Sequence, residues 1–195
     1  IKKDLSRFVS RKYDYRLEGF VLLAYVAYLQ RDVRTLNDTM ENLLNSDPEL
    51  TTRYRHDLYI FDRPLSWNNL LSRCSAIYNK YKNEKLASSF HAFCLMKAGQ
   101  LKEAQNRIVE ALDRLPNHPL VNGLNSHLLT KLGRESEATL ALGRAIEFNK
   151  GTNKYYQPFV LQAWYCQEKS DYDCAKKNWF RIQEINPSDI QAKVN

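Results

Sequence analysis

Glycine and proline are scarce in this 195-residue chain, at six each. So few turn-forming residues exclude a fold made of many tight hairpins, and they argue equally against a disordered chain. No apolar run is long enough for a bilayer. The longest, 20–29, is about ten residues, half of what a membrane helix needs, and it reads as a buried helix. Catalytic signatures are missing as well: there is no phosphate-cradling glycine loop, no HExxH, no CxxC and no nucleophile elbow. No enzymatic activity and no cofactor is therefore expected. His56, His91, His118 and His127 are far apart in sequence, and although His91, Cys94 and His127 could approach across neighbouring helices, no tight ligand spacing supports a metal. The chain opens at Ile1 without an initiator methionine, which reads as an excised or processed segment. A missing signal peptide then says nothing about compartment.

What is present is an ordinary globular composition. Apolar residues make up 44%, enough for a continuous core in a single domain or a short stack of repeats. The formal charge is +7, from 29 basic and 22 acidic residues that are interspersed along the chain. Such mixing reads as a solvated surface with a basic bias, although the bias would favour nucleic acid, an anionic membrane or an acidic partner. The densest basic stretch is at the start, with Lys2, Lys3, Arg7, Arg11, Lys12 and Arg16.

A period of thirty-four runs through the chain. Gly99-Gln100-Leu101-Lys102-Glu103-Ala104 leads to Ala111-Leu112 and then Pro116. Thirty-four residues on stand Gly133, Ala138 and Ala145-Ile146; the same step backwards gives Trp67, Leu70, Cys74 and Ile77, and a second gives Val33, Leu36, Met40 and Leu43, with Pro48 matching Pro116. Beyond Gly133 about three extra residues around 151–155 restore the register, after which Tyr172, Ala175, Trp179, Ile182 and Pro187 fall into line. The units are 17–50, 51–84, 85–118, 119–152 and 156–189, preceded by a capping helix or the end of an earlier repeat at 1–16 and followed by the start of a helix at 190–195. Within them a small-residue column, Ala24, Leu58, Ala92, Ser126 and Ala163, faces Leu36, Leu70, Ala104, Ala138 and Ala175, a pairing that lets two antiparallel helices approach closely. Ser66 reads as an N-cap, Gly99 and Gly133 as left-handed helix ends, and Pro116 and Pro187 as stops.

In spacing and in its Ala, aromatic and Pro positions, the chain resembles the tetratricopeptide repeat family over about 170 residues. Units one, three and five carry the pattern best; unit two has Pro64 where its turn should begin, and unit four has Asn125-Ser126 in place of Leu-Gly. The resemblance implies an all-α, right-handed superhelical solenoid of antiparallel helix pairs, about five repeats plus terminal helices. It also implies a concave groove lined by the first helix of each repeat. Carried over residue by residue, the groove has Tyr25, Tyr59, Phe93, His127 and Trp164 as an aromatic or imidazole column. Beside it stand Leu22, His56, Phe90, Leu124 and Leu161, and a basic edge is made by Arg63, Lys97 and Lys131, in line with Leu29 and Glu168. Such a floor suits a partner's peptide or amphipathic helix, unless these side chains instead pack between neighbouring helices as core. The Lys and Asn clamp by which related repeats hold a chaperone's C-terminal carboxylate is replaced by Val21, Leu22, Tyr25, Arg55 and Tyr59, which speaks against a co-chaperone.

Cys166 and Cys174 stand four residues either side of Ser170, opposite one another across the helical hairpin of unit five, which makes them a disulfide candidate. Cys74 and Cys94 are a weaker second candidate, and four reduced thiols are the alternative. The pairing tilts the expected location to the periplasm or a secreted setting, with the cytoplasm as the alternative. The expected function is a protein–protein interaction scaffold of a larger assembly, for instance a bacterial envelope, pilus or secretion system. The effector-binding half of a transcriptional regulator is the alternative, and direct nucleic-acid binding ranks below both. Self-association is left open.

Overall fold

The computed structural model describes residues 16–46, 66–150 and 154–187. The expectations for segments 1–15, 47–65 and 188–195 lie outside the described residues. Those described form nine α-helices and no strand: α1 Arg16–Leu29, α2 Val33–Leu44, α3 Trp67–Tyr81, α4 Ala87–Lys97, α5 Leu101–Arg114, α6 Pro119–Lys131, α7 Glu135–Asn149, α8 Gln157–Glu168 and α9 Tyr172–Ile185. The chain divides into two compact units, Ile1–Ala111 and Leu112–Asn195.

One pattern recurs in five of these helices. Each buries three residues at i, i+4 and i+7: Leu36, Met40 and Leu43 in α2; Leu70, Cys74 and Ile77 in α3; Ala104, Ile108 and Ala111 in α5; Ala138, Leu142 and Ala145 in α7; Ala175, Trp179 and Ile182 in α9. This spacing puts all three on one stripe of the helix and leaves the opposite face to water. The small column behaves as its size dictates. Ala24, Ala92, Ser126 and Ala163 are all buried, and the approach of α6 to α7 is close enough for the Ser126 hydroxyl to donate to the carbonyl of Ala138 at 2.8 Å. Helices α4 and α6 are different, since they are buried on almost every side. Such all-round burial marks interior helices.

The turns share one geometry. Arg31, Gly99, Gly133 and Ser170 have φ of 56°, 80°, 73° and 58°. After each, the next residue's N–H returns to a carbonyl five residues back: Asp32 to Ala27, Gln100 to Leu95, Arg134 to Leu129 and Asp171 to Cys166, all at 2.9 Å. These are Schellman ends, which satisfy carbonyls that the helix leaves free and require a left-handed residue. Glycine provides it without strain in two turns. In the other two the strained residue precedes an aspartate N-cap: Asp32 accepts from the N–H of Thr35 and Asp171 from that of Cys174, each at 3.0 Å. Ser66 does occupy the N-cap of α3, but its hydroxyl makes no capping bond.

In the first unit, α1 pairs with α2 and also packs on α3, while α4 packs on α2 and α3. In the second, α6–α7 and α8–α9 are antiparallel hairpins, and α8 lies on α6 and α7. The connection between α7 and α8 is tied by buried Asn149, whose amide donates to the carbonyl of Tyr155 and accepts from its N–H at 3.2 Å.

Candidate interaction surface

The expected groove residues divide into three groups. Phe90, Phe93, Leu124 and His127 are core and do not floor an open groove; Phe93 is only 2% exposed. Its ring meets Trp67 edge-on at 5.9 Å and has the Lys97 ammonium over it at 5.6 Å. The reason lies in α4 and α6, which are buried on almost every side. Leu22, Tyr25, Leu161, Trp164 and Lys97 are half-buried, and Lys131 is exposed. Trp164 stands edge-on to Trp179 at 5.6 Å. Tyr59, His56 and Arg63 lie outside the described residues.

What the periodicity did not reveal is how α1 and α3 combine. Leu22, Tyr25 and Leu29 recur at i, i+3 and i+7 along α1, and Leu29 is 62% exposed. Tyr25 stacks on Tyr28 with centroids 5.4 Å apart, and Tyr28 meets the edge of Tyr81 at 6.0 Å. From α3, the Arg73 guanidinium sits over Tyr25 at 5.6 Å and the Lys80 ammonium over Tyr28 at 4.9 Å. Helix α3 contains no acidic residue, and the one in α1, Glu18, is buried. The result is an aromatic and basic strip without a carboxylate from either helix. Both signals stand in the sequence, in the seven-residue spacing of Arg73 and Lys80 and in the missing acids of 67–81. Only the packing of α1 on α3 joins them.

A second polar group ties α3, α4 and α5. The Tyr78 hydroxyl donates to Glu110 at 2.8 Å and accepts from Arg107 at 2.7 Å, and Arg107 also reaches Glu110 at 2.9 Å. Burial raises the Glu110 carboxyl, but hydrogen bonds from Tyr78 and Arg107, together with the Arg107 charge, hold the group below its usual range. His91, 8% exposed, stacks on Tyr78 and bonds through Nε2 to the Ser75 hydroxyl at 3.1 Å. Burial first, then the Arg107 charge, lowers its pKa to about 4. A neutral, buried imidazole stacked on a core ring reads as structure.

Cys74 and Cys94 join α3 to α4, and Cys166 and Cys174 join α8 to α9, with Cα separations of 6.5 and 5.8 Å. Cys94, one of the three residues considered for a metal, is paired with Cys74. Among the described residues no group of three or more His, Cys, Asp or Glu side chains is placed to hold a metal. In the second unit an open cleft of about 1040 Å³ runs along α7, α8 and α9, with Phe159 and Ile146 beside Lys150, Lys177 and Phe180. Its charges are mixed and partly committed, since Asp171 caps α9 and Glu184 pairs with Arg181.

No protein-family model matches the sequence, and no curated protein matches it. Solved structures do. A thermophilic TPR protein from Thermus thermophilus is similar with a TM-score of 0.55 at 15% identity, over 91% of this chain and 95% of that one. The C-terminal part of a TPR repeat-containing protein from Cytophaga hutchinsonii gives a TM-score of 0.48 at 12% identity, over 99% and 79%. Together with the thirty-four-residue burial pattern, the first likeness defines the class: an all-α helical-repeat fold of the tetratricopeptide type.

Proposed function

We propose that this chain is a non-catalytic interaction scaffold that holds a peptide or amphipathic helix of a partner protein. One observation carries the reading. A leucine and an aromatic ring at i, i+3 are left half-buried on two helices: Leu22 with Tyr25 on α1, and Leu161 with Trp164 on α8. Half-buried aromatic side chains give large contact area at little entropic cost and anchor many interfaces. The setting we favour is an assembly of the bacterial envelope, such as a pilus, secretion or polysaccharide-export system. Two cysteine pairs in bonding position support an oxidising compartment. No helix among the described residues is long and apolar enough to cross a membrane.

The test is photocrosslinking in native extract from a benzophenone side chain placed at Tyr25, at Trp164 or at exposed Leu140 as control. A protein partner captured from the first two positions and not from Leu140 is the expected result. Equal capture from all three, or none, would overturn the reading.

A further inference from the structure

The α1–α3 strip has a definite chemistry, and it deepens the scaffold reading, on which it rests. Arg73 and Lys80 are seven residues apart on α3, hence on one helical stripe and about 10 Å apart along it. Each cation is held over a tyrosine ring, so its direction is set before any ligand arrives, which reduces the entropy lost on binding. Parallel to this basic stripe runs the apolar stripe of Leu22, Tyr25 and Leu29 on α1. The nearest acidic side chain past the end of α3, Glu84, is occupied by Asn37 at 2.8 Å.

We propose that this strip docks an acidic amphipathic helix, whose apolar face lies on Leu22, Tyr25 and Leu29 and whose carboxylates, two turns apart, meet Arg73 and Lys80. The matching periods support a helix, because seven residues give the same spacing on both partners. The rings argue for carboxylates over nucleotide bases. Tyr28 already has a stacked ring, a ring edge and an ammonium about it, and Tyr25 has Tyr28 and Arg73. Little π-face is left for a base to stack on, and stacking is what single-stranded nucleic acid needs.

The experiment selects peptides on phage from a library of eighteen-residue helical sequences with leucine at i, i+3 and i+7 and randomised flanks. Selected peptides are then measured by fluorescence anisotropy against the wild-type protein, Arg73→Glu/Lys80→Glu and Tyr25→Ala, with a single-stranded RNA oligonucleotide as a further ligand. The expected result is enrichment of Glu and Asp seven residues apart and affinity lowered about tenfold or more by the charge reversal. Peptides with Lys at those positions should regain binding to the reversed variant, which also shows that it folds. Peptides that bind without acidic enrichment and ignore the reversal would overturn this inference and leave the scaffold reading standing. RNA binding that is stronger than any peptide and lost in the reversed variant would also overturn it. A library that yields no binder at all would sink both.

Discussion

The imidazole of His91 lies almost parallel to the ring of Tyr78, with centroids 4.8 Å apart and 24° between planes. The charged groups facing it, Arg107 and Glu110 from α5, pull in opposite directions, and burial decides the outcome. In the folded protein the pKa is about 4, against 6.5 for the free side chain. The unfolded chain therefore takes up the proton first as pH falls. The contribution of neutral His91 is complete above about pH 6.5 and is lost progressively towards pH 4. Urea midpoints measured between pH 7.5 and pH 4.5 should fall more for wild type than for His91→Gln. Parallel curves for the two would mean that the imidazole does not titrate in this window.

The four Schellman turns make a paired prediction. Arg31→Gly and Ser170→Gly should each raise stability by about 1 kcal/mol, since they relieve a left-handed conformation that L side chains resist. Gly99→Ala and Gly133→Ala should lower it by about the same amount, although a Cβ at either glycine meets no neighbour within 4 Å. The cost would be conformational and would leave the denaturant m-value unchanged.

Asn149 closes the α7–α8 connection with two buried hydrogen bonds to one residue. Asn149→Ala leaves the Tyr155 backbone groups buried without that amide and should cost about 2–3 kcal/mol. Hydrogen exchange should show the loss first at the Tyr155 amide. Unchanged protection there would mean that the amide bridge contributes little.

Removal of the disulfides should cost about 2–3 kcal/mol each in the chain-entropy account, slightly more for Cys74–Cys94, whose loop is 20 residues against 8 for Cys166–Cys174. Mass spectrometry of non-reduced digests checks the pairing, and thermal melts with and without reductant check the energy.

Phe93→Ala separates core from groove. A ring buried against Trp67 and Lys97 should cost about 3–5 kcal/mol when truncated. Tyr25→Ala, at a half-buried site, should cost far less stability. A Phe93→Ala variant with wild-type melting would return that ring to the candidate surface.

Much of the fold was legible because it repeats. The buried triples, the small-residue column and the glycine turns recur at thirty-four residues, with a last step of thirty-seven for the triples and the column, and each has a local cause in helix geometry or backbone sterics. Leu36, Met40 and Leu43 could be assigned to the core from spacing alone, and Gly99 and Gly133 to turns from their backbone freedom. The exposure of the first helices could not. Tyr25, Phe93 and Trp164 share one register position, yet Phe93 is closed in while the other two are half-open. Burial of a helix face depends on how many neighbours surround it, and that number is not a local property. The same holds for the placing of Arg73 and Lys80 over Tyr25 and Tyr28. The sequence by itself determined which residues lie on which stripe of each helix, because 3.6 residues per turn dictates that. Only the tertiary structure decided which stripes meet, because the cation–π contacts join residues about fifty positions apart.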